Sequence, residues 1–182
     1  LKIKGELIVG KLQISGAKMQ NVKFSINAAG GSIKINPVAA SLYNGSYNGV
    51  IDLNATQNLP RLGINTKLTG VNIEPLLFDM TGDRSLSGIA NLTTNLSSTG
   101  NNTDALKRNL SGPLTFLVQN GVYRGIDVAA MLAQVEVMVE SKRPGSVQKG
   151  GETTFQTLGG TINFQNGVGA NNDLLLDGSG FK

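Results

Sequence analysis

The sequence predicts a mainly β protein: an extended, curved antiparallel sheet shaped like a taco, with one main helix and one or two short helices. Apolar and polar residues alternate through most of the 182 residues, which is the period of a strand. Glycine is abundant at 24 residues, as a chain with many tight turns requires. Hydrophobic residues make up 40% and charged residues 15%, so the composition is that of a folded chain.

The strand predictions follow this alternation along the chain. From residue 22 onward, every second residue is apolar until Gly30-Gly31 turns the chain. The pattern resumes after that turn and again after Pro60, and it is clearest in LSGIANLTTNL at 86–96. The alternating apolar positions that we select from these segments are Val22, Phe24, Ile26, Ile33, Ile35, Leu62, Ile64, Leu92, Leu114 and Phe116.

A hairpin is predicted within PVAASLYNGSYNGVIDL at 37–53, where Asn-Gly occurs at 44–45 and again at 48–49. A helix does not tolerate two such pairs so close together. A two-residue hairpin turn needs positive φ, which Asn and Gly adopt most readily. The segment therefore predicts a strand, a turn and a second strand.

Two short helices depart from the alternation. EPLLFDM at 74–80 has a proline in its first turn, which is a favourable position for proline in a helix. Residues 103–109 follow the same helical spacing, with Thr103 as the expected N-cap.

The main helix is predicted at 127–140, with Asp127 as its N-cap. Its apolar stripe includes Met131 and Val135. The stripe fits a helix that covers a sheet, and it also fits one that plugs or contacts an apolar channel. Gln134 and Glu136 interrupt the helix too much for a membrane span. The segment that follows, 141–152, is predicted to be a loop.

Catalysis is disfavoured because the chain contains no histidine and no cysteine. Their absence removes the usual general base, the common nucleophile pairs and most zinc ligand sets. Asp173 and Asp177 are four residues apart, a spacing that fits a carboxylate pair but fits solvated turn residues better. We therefore predict that the protein is not an enzyme and that it has no catalytic residues, metal site or cofactor.

The charge pattern disfavours nucleic acid as a partner. The net charge is +4, but the basic residues are scattered rather than clustered beside aromatic residues, as nucleic-acid-binding proteins have them. The two adjacent pairs, Lys107-Arg108 and Lys142-Arg143, lie near the ends of predicted helices, whose C-termini favour cations. Weak attraction to an anionic lipid surface is compatible with the same charge.

The predicted helices are too few to cover the apolar face of so large a sheet. A helix of about fourteen residues is roughly 21 Å long, whereas a sheet of about ten strands is more than 40 Å wide. Either the sheet folds over on itself, or part of the apolar face is kept for a ligand. Acyl chains suit such a face, because transfer from water is favourable by about 0.8 kcal/mol per CH₂.

The hairpin SLYNGSYNGVIDLN is followed by LTGVNIEPLLFDMTGDRSLSGIANLTTNLSSTG and ALKRNLSG. The segments NGVYRGIDVAAML and TFQTLGGTINFQNGVGANNDLLL come next. In this order the segments resemble the C-terminal region of the AsmA family, and the resemblance covers nearly the whole chain, 1–182, which we treat as a single domain. The order and spacing of these segments together carry the resemblance.

The resemblance implies a Gram-negative envelope protein, located in the periplasm and anchored in the inner membrane by an N-terminal helix. This sequence opens inside a strand pattern and lacks that helix, so we expect a fragment of a longer chain. Family members are related to TamB and to bridge-like lipid transfer proteins, whose apolar β-groove carries phospholipid between membranes. We therefore expect acyl chains as the ligand, with the groove residues Val22, Phe24, Ile26, Ile33, Ile35, Leu62, Ile64, Leu92, Leu114, Phe116, Met131 and Val135.

A second hypothesis is a structural module that assists outer-membrane protein biogenesis. Open sheet edges bind other proteins by strand addition, so envelope proteins are possible partners under this hypothesis.

Overall fold

A computed structural model describes residues 2–141 and 150–178 and shows one sheet of ten strands. Each pair of neighbouring strands is antiparallel, and strands β1 to β8 follow one another in chain order, which confirms the predicted mainly β fold. Both β9 and β10 pair with the outer edge of β8. The strands are β1 (Lys2–Ile14), β2 (Ala17–Ala29), β3 (Ser32–Leu42), β4 (Gly45–Asn54), β5 (Arg61–Asn72), β6 (Leu86–Thr99), β7 (Gly112–Arg124), β8 (Glu152–Gln165), β9 (Val168–Ala170) and β10 (Leu175–Asp177).

The predicted hairpin is present, but its turn lies one residue earlier than the first Asn-Gly pair. Tyr43 and Asn44 have φ values of 43° and 68° and form the turn between β3 and β4. Gly45 is already the first residue of β4, where a Cβ would lie only 2.5 Å from the Thr69 carbonyl oxygen. The second pair, Asn48-Gly49, lies inside β4. Gly45 therefore allows close packing against β5 and is not part of the turn itself.

The three helices are α1 (Ile73–Thr81), α2 (Thr103–Arg108) and α3 (Val128–Ser141), close to the predicted bounds. Asp127 caps α3 as expected, since its Oδ1 accepts a hydrogen bond from the Ala130 amide at 2.9 Å. The expected cap of α2 is wrong: Asn102 rather than Thr103 accepts the hydrogen bond, from the Ala105 amide at 2.8 Å. Most of the loop predicted at 141–152 lies outside the described residues, as does Lys142-Arg143.

The helices divide the two rows of strand ends into two different rims. At the first, which we call the closed rim, α1 follows β5, α3 follows β7, and the β3–β4 turn packs beside α1. The opposite ends, which we call the open rim, carry the Gly30-Gly31 turn, the 55–60 loop and α2. The two rims differ because α1, the helix that packs most extensively on the sheet, lies at the closed rim.

The core is concentrated along the closed rim. One cluster joins Leu76 of α1 to Ala17, Leu42 and Val71. A second cluster, at β6 to β8, contains Ala90, Val118 and Phe155, and Ile73 of α1 packs against it. Since α1 contributes to both clusters, it holds the β2–β5 part of the sheet to the β6–β8 part.

Candidate functional site

The candidate site is the inner face of the sheet, the face on which α1 packs, and we call it the trough. Residues paired directly across antiparallel strands point to the same face, so the register shows which residues line it. The row next to the open rim is Ile3, Ala28, Ile33, Leu53 and Leu62. The following row is Gly5, Ile26, Ile35, Ile51, Ile64 and Leu96.

The trough continues across the remaining strands without changing face. Leu68 pairs with Leu92, and Leu92 pairs with Phe116. Thr94 pairs with Leu114, and Leu114 pairs with Ile162. The bulges between β2, β3, β5 and β6 shift the register without moving the apolar residues to the outer face. One apolar surface therefore runs from β1 to β8.

Between β1 and β5 the trough is accessible along the open rim. Ile3 and Leu7 are each 50% exposed, and Ile33 is 39% exposed. A cleft of about 270 Å³ lies here, lined by apolar residues of β1 to β4 that include Ile3, Ile33 and Leu53. A contiguous exposed apolar surface of this kind is a common feature of ligand-binding grooves.

Ten of the residues predicted from the sequence lie on this face: Val22, Phe24, Ile26, Ile33, Ile35, Leu62, Ile64, Leu92, Leu114 and Phe116. Val22 is buried at 1% exposure, so it supports the floor rather than presenting surface. Met131 lies on α3, at the closed rim and outside the sheet. The side chain of Val135 lies outside the described residues.

Several trough residues escaped the sequence prediction. Ile51 and Leu53 follow the same alternation, which was the available signal. Ile3 and Leu7 alternate with charged residues in a strand whose position at the sheet edge the pattern does not show. Leu96 continues the alternation of β6, but only the pairing with Ile64 places it in the second row.

Hydroxyl groups interrupt the apolar surface near its middle. The Tyr47 hydroxyl and Thr66 Oγ1 are 3.2 Å apart, and Thr66 pairs directly with Thr94. Thr94 Oγ1 is buried and has no hydrogen-bond partner among the described residues. These hydroxyls separate the two rows beside the open rim from the more tightly packed surface beneath α1.

At the closed rim, α1 is tied to β2 and to the β3–β4 turn by a polar cluster that we call the latch. Asp79 accepts hydrogen bonds from Lys18 Nζ at 2.9 Å and from the Tyr43 hydroxyl at 2.6 Å. The hydrogen bond from Tyr43, then that from Lys18, lowers the pKa of Asp79. The hydrogen bond to Asp79 raises the pKa of Lys18, and burial raises the pKa of Tyr43. All three shifts favour a charged Lys18, a neutral Tyr43 hydroxyl and an ionised Asp79 near neutral pH.

Two arginine residues also contact α1 at the closed rim. Glu74 of α1 lies 3.6 Å from Arg84 and 3.5 Å from Arg124. The Arg84 guanidinium stacks over the Phe78 ring at 3.7 Å, and Arg124 donates a hydrogen bond to the Arg84 carbonyl at 2.8 Å. These contacts fix α1 over the rim, where two guanidinium groups share the single Glu74 carboxylate.

The two edges of the sheet also differ. Over residues 2–141 and 150–178, no strand pairs with the outer edge of β1. The outer edge of β8 is occupied by β9, by β10 and, between them, by two side chains: Asp173 accepts from the Thr161 amide at 2.7 Å and Asn171 donates to the Thr161 carbonyl at 2.9 Å. Asp173 therefore protects an edge. Asp177 instead pairs with Thr157 and so lies beside a different part of β8 from Asp173.

The described part of the chain contains no group of three or more acidic side chains placed to hold a metal ion. Within the same residues, none of the helices has the length and apolarity needed to cross a bilayer.

Comparison with known proteins gives one match. The model of the AsmA family matches residues 4–174. No curated protein and no solved structure matches the chain.

Proposed function

Because the chain belongs to the AsmA family, whose members are envelope-associated, we propose that it carries phospholipid between the inner and outer membranes. In this proposal the acyl chains lie in the trough, and the domain is the periplasmic part of a protein anchored in the inner membrane. The observation that carries the proposal is the pair of apolar rows on the inner face beside the open rim, which stay accessible from β1 to β5.

The dimensions of the trough support an acyl ligand. Neighbouring strands are about 4.8 Å apart, so the floor from β1 to β7 is about 29 Å long. One bilayer leaflet has a hydrocarbon thickness of about 15 Å, which the acyl chains of a phospholipid span. The floor is therefore long enough to hold such chains over their full length.

The free energy of burying methylene groups also supports an acyl ligand. Each CH₂ group removed from water contributes about 0.8 kcal/mol. A chain that buries even half of its methylene groups against Ile26, Ile35, Ile51 and Ile64 offsets the cost of ordering it. The surface is nonspecific for the length of the chain, as a carrier of mixed membrane lipids requires.

Site-specific photo-crosslinking in cells tests the proposal with adjacent positions on opposite faces. A photoreactive residue at Phe24 or Ile35 is expected to capture phospholipid, because both side chains lie in the trough. The matched positions are Lys23 and Lys34, which are exposed on the outer face. Equal lipid capture at all four positions would contradict the proposal.

The alternative function, assistance in outer-membrane protein biogenesis through sheet-edge contacts, is favoured by one observation. The outer edge of β1 offers 13 residues of backbone for strand addition. Photoreactive residues along β1 would then capture protein, with no lipid captured at Phe24 or Ile35. The same experiment therefore separates the two functions.

A further inference from the structure

Three hydroxyl groups on neighbouring strands meet inside the trough. Tyr47 of β4, Thr66 of β5 and Thr94 of β6 are half-buried, and we call them the hydroxyl cluster. Thr66 pairs directly with Thr94, and the Tyr47 hydroxyl lies 3.2 Å from Thr66 Oγ1. The cluster is therefore a polar patch on a face whose neighbouring positions are apolar.

The strand position beside Tyr47 leaves room for its hydroxyl group. Gly49 lies in the third row from the open rim, where it pairs with Val38 on one side and with Thr66 on the other. A Cβ at Gly49 would lie 2.7 Å from the Tyr47 hydroxyl oxygen, which is closer than the two atoms can approach. Because Gly49 has no side chain, the Tyr47 hydroxyl reaches Thr66. The second Asn-Gly pair of the sequence thus positions a polar group in the trough.

The hydroxyl cluster has O–H donors that the protein does not use. Its three hydroxyls form one hydrogen bond with each other, between Tyr47 and Thr66, and Thr94 Oγ1 is buried without a partner among the described residues. Threonine side chains directly opposite on antiparallel strands commonly bond to each other. If an outside acceptor takes the Tyr47 O–H, Thr66 is free to bond to Thr94. One acceptor from a ligand therefore satisfies the whole cluster.

The hydroxyl cluster lies where one end of an acyl chain would lie. Ile51 and Ile64 of the second apolar row are two residues from Gly49 and Thr66 along their strands, a distance of about 7 Å. From β5 to the edge strand β1 the trough is about 19 Å long, and the hydrocarbon of one bilayer leaflet is about 15 Å thick. An acyl chain that begins at the cluster therefore fits on the accessible rows.

Resting on the proposed function, we propose that the hydroxyl cluster binds the ester carbonyl of a diacyl phospholipid, with the Tyr47 hydroxyl as the donor. The ester carbonyl joins the acyl chain to the glycerol and accepts hydrogen bonds without donating any. The acyl chain then runs from β5 toward β1 over the two rows beside the open rim. An ether-linked chain lacks the carbonyl, so the trough prefers ester-linked lipids.

A structural role explains only part of the hydroxyl cluster. The hydrogen bond between Tyr47 and Thr66 joins β4 to β5, which the backbone already pairs along their length. It does not explain Thr94, because a buried hydroxyl without a partner is less stable than a valine of the same shape. A carbonyl acceptor accounts for all three hydroxyls.

The test compares two lipids that differ only in how their chains are linked. The protein is incubated with vesicles of equal amounts of ester-linked and ether-linked phosphatidylglycerol of the same chain length and is then re-isolated. Its bound lipids are quantified by native mass spectrometry. We expect about a fivefold excess of the ester-linked lipid, which is the effect of one ordinary hydrogen bond. Equal binding of the two lipids by the wild type overturns the inference.

Removal of the hydroxyl cluster is expected to abolish this excess. Combined Tyr47→Phe, Thr66→Val and Thr94→Val substitution keeps the shape of each side chain, so the total bound lipid is expected to be unchanged. Because both lipids carry the same phosphate, only the ester carbonyl can explain a change in their ratio. A variant that binds less lipid but keeps the excess would show that the cluster acts through packing or through the headgroup, and the inference would be wrong.

A matched control makes the same three substitutions away from the hydroxyl cluster. Thr93 and Thr115 pair with each other on the outer face, and Tyr123 lies at the closed-rim end of β7, where it is 38% exposed. Combined Tyr123→Phe, Thr93→Val and Thr115→Val substitution is expected to keep the fivefold excess. Equal loss in the control and in the cluster variant would overturn the inference.

A single pair of variants identifies the donor without changing the threonines. Tyr47→Phe alone is expected to reduce the ester excess, whereas Tyr123→Phe alone is expected to keep it. An undiminished excess in Tyr47→Phe contradicts the inference. Absence of any bound lipid in the wild type would reject the proposed function itself, an outcome distinct from lipid bound without a preference for the ester.

Discussion

The closed rim and the open rim of the same sheet use their residues in opposite ways. Along the closed rim, apolar residues are buried beneath α1, and charged residues are paired with one another. Along the open rim, Ile3 and Ile33 are exposed and Arg61 has no partner in the part of the chain that is described. The closed rim supplies the packing that stabilises the sheet. The apolar and charged side chains of the open rim can therefore remain exposed and available to a ligand.

This division has a physical basis. A sheet with one bare apolar face is stable only if enough of that face is covered. Here α1 reaches from β6 back to β2, so a helix of 9 residues contributes to two core clusters. Ligand-binding regions belong to the less stable part of a fold, and the open rim meets that description.

The largest expected difference comes from truncating one phenylalanine in the closed-rim core and one in the trough. Phe155 is 1% exposed in the closed-rim core, so Phe155→Ala is expected to lower the free energy of unfolding by about 3–5 kcal/mol. Phe24 is only partly buried in the trough, and Phe24→Ala is expected to cost about 1 kcal/mol. Urea denaturation of both variants measures the difference. Similar costs would show that the open rim is packed as tightly as the closed one.

A smaller contrast comes from adding one methyl group. A Cβ at Gly121 would overlap the Phe155 ring and the Ser87 carbonyl, whereas a Cβ at Gly5 would meet nothing within 4 Å. Gly121→Ala is expected to lower the free energy of unfolding by about 1–3 kcal/mol. Gly5→Ala is expected to stay within about 0.5 kcal/mol of wild type. Thermal unfolding of both variants tests this, and a destabilised Gly5→Ala variant would mean that the trough is filled.

The smallest expected effect is the pH dependence of the latch. Because the pKa of Asp79 is lowered in the folded state, its stabilising effect is complete above the ordinary carboxyl value of 3.8. That effect is lost as the pH falls through the lowered pKa. We expect Asp79→Asn to unfold at a lower temperature than wild type at pH 7, with the gap narrowing below about pH 4. A gap of constant size between pH 7 and pH 2 would show that ionised Asp79 does not hold α1.

Much of the fold was predictable because its signals are local. Alternation predicted the strands, and the departures from it predicted the helices at 74–80, 103–109 and 127–140. The residue type of Asp127 also predicted that it caps α3. The exact turn at Tyr43-Asn44 and the cap at Asn102 were not predicted. At the turn and at the cap, two neighbouring residues are equally suitable by type. Packing of Gly45 against Thr69 decides the position of the turn, and the direction in which the chain leaves β6 decides the cap.

The candidate site was only half predictable for the same reason. A strand pattern shows which residues share a face of that strand, and the register places Phe24, Ile35 and Leu92 on one face of the sheet. It does not show which strand is at the edge, and thus Ile3 and Leu7 were missed. Nor does it show that Asp79, Lys18 and Tyr43 meet, because they are far apart in the chain.

The sequence by itself determined a one-faced antiparallel sheet, its tight turns, its three helices and its family, since each depends on the period and spacing of nearby residues. The tertiary structure alone decided that α1 returns across four strands to close one rim and that side chains protect the β8 edge. These features depend on inter-strand register and on contacts between distant segments. No local pattern in the sequence predicts these contacts, because they contribute to stability only after the sheet has formed.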